Sequence, residues 1–240
     1  MIDYWRRKHR DPSQFQKSFV LPDTRTDLLR FSLNVICSAG FGVKLPFEPA
    51  AQAGEGINEN LFQDSIRPQG FEFTFREVME YMSHSVFSVF IANNLVPSWI
   101  PRSLVPFFSK GFAAYKDLEK YLQAMVRDAE TRQGETGNLL DSLVRARQQE
   151  QATNKHSTGL TDSEVLGNVY MFTLAGHETT ATTLRFALVL LALHTDVQEE
   201  LHAELRTIFQ ESPDPAAWDF GVYPNLLMPV LIMVGIFHIK

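Results

Sequence analysis

Apolar residues recur three and four positions apart through most of this chain, the spacing that lines one face of a helix, and no stretch reads convincingly as a strand. The fold class expected is all-α. After a basic opening segment with Trp5, Asp23 and Thr24 can cap a helix with Leu28, Phe31, Val35 and Ile36 on one face, stopped by Gly40 and Gly42. Residues 53–60 form a loop, and residues 75–91 a helix with Val78, Met79, Met82, Val86, Val89 and Phe90 on its buried side. The apolar stretch 95–108 contains Pro97, Pro101 and Pro106, which forbid one continuous helix. Phe112, Tyr115, Leu118, Leu122, Met125, Val126 and Ala129 then line a helix stopped near Gly134. Asn138 caps a shorter one with Leu140, Leu143 and Val144, and the polar residues 148–158 read as a linker.

The longest pattern covers residues 161–194. Thr161 with Glu164 three residues on is a capping box, in which each side chain satisfies a main-chain N–H left open by the first turn. Val165, Leu166, Val169, Phe172, Thr173, Gly176, Leu184, Ala187, Leu188 and Leu191 follow, a pattern that predicts a helix buried on most sides. At about 1.5 Å per residue it would run for roughly 50 Å. Thr195 and Gln198 offer a second capping box for a helix with Val197, Leu201, Leu205 and Ile208, and residues 210–221 are a loop.

The middle of the long helix is built against its own propensity. Gly176 costs up to about 1 kcal/mol in a helix interior, and Thr179, Thr180, Thr182 and Thr183 are poor helix formers. Gly beside Ala175 removes bulk from the helix surface, and threonine hydroxyls can bond back to carbonyls four residues earlier, which gives a groove with a polar lining. Glu178 and Thr179 put a carboxyl and a hydroxyl beside it, groups suited to moving protons toward a small ligand. The plainer reading is a close helix contact made by small residues, with Glu178 facing a surface. His177-Glu178 also begins a zinc-protease His-Glu-x-x-His pattern, but Ala181 stands where the second histidine is required.

Ala175-Gly176-x-Glu178-Thr179-Thr180 within a long helix, followed by His194-x-x-Val197-Gln198-x-x-Leu201, resembles the central helix and its successor in the cytochrome P450 haem-thiolate monooxygenases. Residues 23–49, with Asn34-Val35-Ile36 and Ala39-Gly40-Phe41-Gly42, resemble a helix of the fungal-type members, and the likeness extends over about residues 23–233. The resemblance implies haem as cofactor, an NAD(P)H-dependent reductase as partner, and insertion of one oxygen atom from O2 into an apolar small molecule. It implies that Ala175, Gly176 and Thr180 line the oxygen groove, that Glu178 feeds protons and that Thr179 orients water and oxygen. The helix at 75–91 would roof the substrate pocket, with Met82, Phe90 and Phe172 as candidate substrate contacts. The stretch 95–108, with Trp99, would pack on its own domain or touch a lipid surface, and a full-length eukaryotic member would be found at the endoplasmic reticulum membrane.

Composition narrows the function further. With 22 basic and 28 acidic residues the 240-residue chain is mildly acidic, and Arg6-Arg7-Lys8-His9-Arg10 is its sole basic cluster, so a nucleic-acid partner is not expected. No apolar run is long enough for a membrane-spanning helix. Cys37, the one cysteine, lies in an apolar helical pattern and is expected to be a buried small hydrophobe, outside any haem-ligand context. No metal-ligand set is expected.

The Glu-x-x-Arg pair and the haem-ligand cysteine loop of the resembled family do not occur in the sequence, and the likeness breaks off at Val234. The expectation is a partial domain with an internal methionine as Met1 and an aberrant tail at 234–240, inactive alone because the axial thiolate drives O–O cleavage. His177 or His194 could ligate iron in principle, but a lone helical histidine is far more often structural. The competing class is a non-catalytic helical protein that binds lipid or a protein partner through 95–108 and its apolar tail.

Overall fold

The computed structural model describes residues 1, 4–5, 21, 23–47, 61–62, 67–95, 106–132, 137–153, 160–209 and 221, of which 86–95, 106–109, 149–153 and 208–209 are described by main chain alone. Among the described residues the long elements are all helical, with no strand, as the periodicity predicts. They are α1 (Arg25–Val35), continued by a π-helical turn (Ile36–Gly40), α2 (Phe75–Leu95), α3 (Pro106–Arg132), α4 (Leu139–Thr153), α5 (Asp162–Leu193) and α6 (Thr195–Phe209). The chain divides into two compact units, one of Met1–Pro22 with Leu29–Glu178, the other of Asp23–Leu28 with Thr179–Lys240.

Local chemistry starts these helices where the sequence places them. Asp23 accepts from the Arg25 N–H at 2.8 Å and the Thr26 hydroxyl at 2.9 Å, and those bonds hold its carboxyl below its ordinary range. Asn138 Oδ1 accepts from the Asp141 N–H at 2.8 Å to open α4. α2 has a capping box that escaped the sequence reading, although Thr74 and Glu77 spell it: the Thr74 N–H donates to Glu77 at 2.8 Å and the Glu77 N–H to Thr74 Oγ1 at 3.3 Å. Pro106 stands first in α3, where its missing N–H costs no helical bond.

The core of the first unit lies between α2 and α3, joined by the start of α5 and the π-helical turn. Val78, Met79 and Met82 from α2 meet Leu118, Tyr121, Leu122, Met125 and Ala129 from α3, with Cys37, Phe41, Leu140, Val144, Val165 and Val169 closing it. The turn-rich loop before α2 is held from inside: buried Asp117 accepts from the N–H groups of Glu72 (2.6 Å) and Phe73 (3.0 Å), and Tyr121 donates to the Phe73 carbonyl at 2.9 Å. The Phe71 ring lies tilted against Tyr121 with centres 4.4 Å apart, and the Lys120 ammonium is 4.8 Å from the Phe71 ring centre.

Several expectations are corrected. The buried side of α1 carries Leu28, Ser32 and Leu33, while Phe31 and Val35 are exposed, because Ser32 is drawn inward by hydrogen bonds that an apolar count cannot see. Tyr115 is 38 % exposed and Tyr121 takes the core position. α4 runs to Thr153, into the polar stretch read as a linker, since Gln148, Gln149, Glu150, Gln151 and Ala152 are all good helix formers. α5 has the predicted box at its start, with Thr161 N–H to Glu164 at 2.7 Å and Glu164 N–H to Thr161 Oγ1 at 3.2 Å, but it is not buried on most sides. Val165 and Val169 are buried, while Phe172, Phe186, Leu188, Val189 and Leu193 are exposed. At the start of α6, Gln198 Nε2 donates to the Leu191 carbonyl at 3.3 Å, so its side chain caps the end of α5 instead of forming the second box. The loop at 53–60, the basic cluster at 6–10 and residues 96–105 of the apolar stretch lie outside the described residues.

Gly42 carries the exit from the π-helical turn at φ +70°, and a Cβ there would stand 2.1 Å from Arg132 Nη1 and 2.9 Å from Asn138 Nδ2. Neither neighbour is free to retreat, since Arg132 donates to the Phe41 carbonyl at 2.9 Å and pairs with Asp128 at 3.1 Å, and Asn138 caps α4. Gly42→Ala is expected to lower the unfolding free energy by roughly 2–3 kcal/mol, the sum of left-handed strain and a displaced, half-buried guanidinium. Urea unfolding followed by circular dichroism checks this, and an unchanged midpoint would show that the cradle yields at no cost.

Candidate functional site on the central helix

α5 is fixed at its start by ion pairing. Buried Arg147 of α4 donates to Asp162 at 2.8 Å and pairs with Glu130 of α3, which holds three helices together where α5 begins. Eleven residues further on, the helix buries polar groups. Thr173 Oγ1 donates back to the Val169 carbonyl at 2.6 Å, and His177 Nδ1 lies 2.8 Å from the Thr173 carbonyl. The other ring nitrogen lies 3.2 Å from Ser83 Oγ of α2, and Ser32 Oγ of α1 donates to the His177 carbonyl at 2.7 Å. Burial lowers the His177 pKa from its ordinary 6.5, against the opposing pull of the Thr173 carbonyl and Glu178.

The residues singled out from the sequence sit on different sides of α5. Within the first unit Ala175 is exposed, Glu178 is half-buried and Gly176 faces the π-helical turn, where a Cβ would meet Ile36 Cδ1 at 3.6 Å. Met171 and Phe172 are 59 % and 40 % exposed. Within the second unit Thr179 and Thr180 are exposed, and Thr183 Oγ1 donates to the Thr179 carbonyl at 2.9 Å, the back-bonding expected of helical threonines. Met171, Ala175 and Thr179 are four residues apart and share one face of a continuous helix. Met82 is fully buried in the core of the first unit, and the Phe90 side chain lies outside the described residues. His177 has both ring nitrogens within hydrogen-bond distance of a partner, Thr173 on one side and Ser83 on the other. Sequence reasoning missed Ser32 and Ser83, since a serine on an apolar helix face gives no signal of a partner 145 or 94 residues away.

Cys37 is fully buried, and burial pushes its thiol up to about 12. Among the described residues no group of three His, Cys, Asp or Glu side chains could hold a metal ion, and no single helix is long and apolar enough to cross a membrane.

The family model described as Cytochrome P450 matches residues 1–221. The chain belongs to the cytochrome P450 family. Cytochrome P450 monooxygenase 124 of Postia placenta is 34 % identical over 172 residues, which are 70 % of this chain and 32 % of that one. Cytochrome P450 monooxygenase ORF6 of Penicillium roqueforti is 29 % identical over 199 residues, 79 % of this chain and 32 % of that one. The crystal structure of a cytochrome P450DA mutant heme domain shares the fold, with a TM-score of 0.67 at 20 % identity over 98 % of this chain and 43 % of its own. The chain thus spans about a third of the length of the curated relatives it matches. The match begins at Met1, ahead of the residue 23 at which the sequence likeness was drawn.

The cofactor of a P450 is haem. A flat apolar macrocycle needs an open surface with small side chains at its centre, and exposed Ala175 with Met171 one turn before it fits that need. Cys37 does not fit as the iron's thiolate, because its sulfur is sealed in the core and held protonated.

Two outcomes follow from this geometry. Below pH 6.5 the unfolded chain binds a proton that folded His177 resists, so unfolding free energy should be full above that pH and fall as pH drops toward the depressed folded value. His177→Phe should lack this dependence; identical pH slopes in both proteins would mean that another group causes it. Gly176→Ala should raise stability by about 0.5–1 kcal/mol, since its methyl meets Ile36 at ordinary contact distance and helix propensity improves. A loss in urea unfolding would show that the glycine is required for packing.

Proposed function

We propose that this chain forms the central-helix portion of a haem-dependent monooxygenase that inserts one oxygen atom from O2 into an apolar small molecule. Membership of the P450 family supports the reaction class, and the exposed face of α5 at Ala175 is the observation that carries the placement of the chemistry. Bound haem would supply oxygen activation and the store for electrons delivered by an NAD(P)H-dependent reductase. Ala175 keeps the helix surface low so that a small molecule can lie against it, with Gly176 and Thr180 beside it. Glu178, half-buried, can take a proton from solvent on one side and release it on the other. Thr179, exposed at the next position in the chain, is the proposed residue that orients water and oxygen. Phe172, exposed next to this face, and Phe90 are proposed substrate contacts, whereas Met82 is taken up by core packing, and 95–108 is a proposed peripheral membrane contact in a protein of the endoplasmic reticulum.

The iron's thiolate, in this reading, comes from residues other than those of this sequence, and the 240 residues alone are inactive. Buried, protonated Cys37 supports that reading. Residues 234–240, beyond the matched part, take no role in it.

The test is a fusion of residues 1–221 to the C-terminal remainder of the Postia placenta relative, loaded with haem and driven by a P450 reductase. The fusion should give a thiolate-type reduced carbon monoxide spectrum, which the 240-residue chain should not. Glu178→Gln should slow turnover about 10²- to 10⁴-fold, the worth of a positioned proton donor. Thr179→Ala should divert electrons to hydrogen peroxide. A haem-loaded fusion in which both variants match the parent in rate and peroxide yield would refute the assigned roles.

A further inference from the structure

His177 lies between the two residues that line and serve the proposed groove, yet its ring points away from it into the first unit, where it is 3 % exposed. Its surroundings fix the state of the ring. A carbonyl can only accept a hydrogen bond, so the 2.8 Å approach to the Thr173 carbonyl requires the proton on Nδ1. The neutral ring then presents a lone pair at Nε2, and Ser83 Oγ, 3.2 Å away, must be the donor. The main chain of the same residue is bound from a third side, because Ser32 Oγ donates to its carbonyl at 2.7 Å while also reaching the Leu29 carbonyl at 3.2 Å. Ser32 belongs to α1 and Ser83 to α2, so one residue of α5 is tied to two other helices through different atoms.

The tie is placed where it counts mechanically. Ser83 follows Met82 of the α2 core face, and His177 follows Gly176, whose surface meets Ile36 of the π-helical turn. Adjacent residues of α2 and of α5 therefore carry the packing on one hand and the hydrogen bonds on the other.

We propose that His177 is a positioning residue: as the neutral Nδ1–H tautomer it clamps α5 to α2 through Ser83 and to α1 through Ser32, so that the main chain at Ala175 and Gly176 is held in place by α2. Separation of α2 from α5 breaks the Nε2 bond, the one of the three that spans those two helices, and loosens the turn that precedes Glu178. The clamp lies wholly within the first unit and needs no haem, so it goes beyond the monooxygenase reading and is measured apart from it.

The experiment is nitrogen NMR on the 240-residue chain with labelled histidine, at mildly alkaline pH, together with amide hydrogen exchange. The His177 ring should show the Nδ1–H tautomer and an Nε2 resonance of a hydrogen-bond acceptor. Ser83→Ala should move the Nε2 resonance toward that of an unbonded nitrogen and leave Nδ1–H in place, and Ser83→Thr should restore it. Amide exchange at residues 173–178 should quicken about five- to tenfold in Ser83→Ala and in Ser32→Ala, the worth of one buried hydrogen bond. Ser32→Ala should leave the ring resonances unmoved. An Nε2–H tautomer in the unmutated chain overturns the proposal without any variant, and so does unchanged exchange in both serine variants. A fusion that fails to take up haem leaves these readouts intact.

Discussion

The structure of the first unit depends on how α5 satisfies the polar groups that it buries. A helix that enters a core with Thr173 and His177 on its inner side must find partners for a hydroxyl and two ring nitrogens, because a buried group without one costs about 1–3 kcal/mol. Thr173 is satisfied within its own helix, through the Val169 carbonyl, and His177 partly so. The remaining nitrogen and the carbonyl meet Ser83 and Ser32 on the side of α5 where Val165 and Val169 enter the core, and Ala175 is left exposed.

The other polar ties repeat this logic at the ends of helices. Arg147 joins α3, α4 and the first residue of α5, Asp117 gathers the main-chain N–H groups before α2, and Arg132 closes over Gly42. Each is a buried or half-buried charge with several partners, the condition under which such a group fixes geometry. Apolar packing between α2 and α3 supplies the driving force, while these ties select one arrangement among those that would bury similar area.

A helix so anchored on one side presents its other side as a surface. Within the first unit Met171 and Phe172 are exposed on this helix, and within the second Phe186, Val189 and Leu193. In the proposed enzyme the part of α5 that carries Met171 and Ala175 in the first unit is where a macrocycle would lie. The proposed proton donor and hydroxyl, Glu178 and Thr179, stand at the edge of that surface and not in the sealed core. Catalytic groups that must exchange protons with solvent need such a border position.

Much of this was legible in the sequence because it is local. Helix identity followed from apolar spacing, helix starts from Asp23, Asn138 and the Thr161–Glu164 box, and the family from six residues around Gly176. Each is decided by groups within a few positions, so the chain carries the answer in its order. Which side of a helix is covered is decided by a partner far away in the chain. Leu188 and Phe172 look as fit for a core as Val169 does, yet they are exposed, and Ser32 looks fit for solvent yet is buried. The sequence by itself determined the helices, their caps and the placing of Ala175, Glu178 and Thr179 on one of them. Only the tertiary structure decided that Gly176 turns toward Ile36, that His177 meets Ser83 and Ser32, and that Met171 and Phe172 are left exposed, since burial and hydrogen bonding between distant residues exist only once the helices meet.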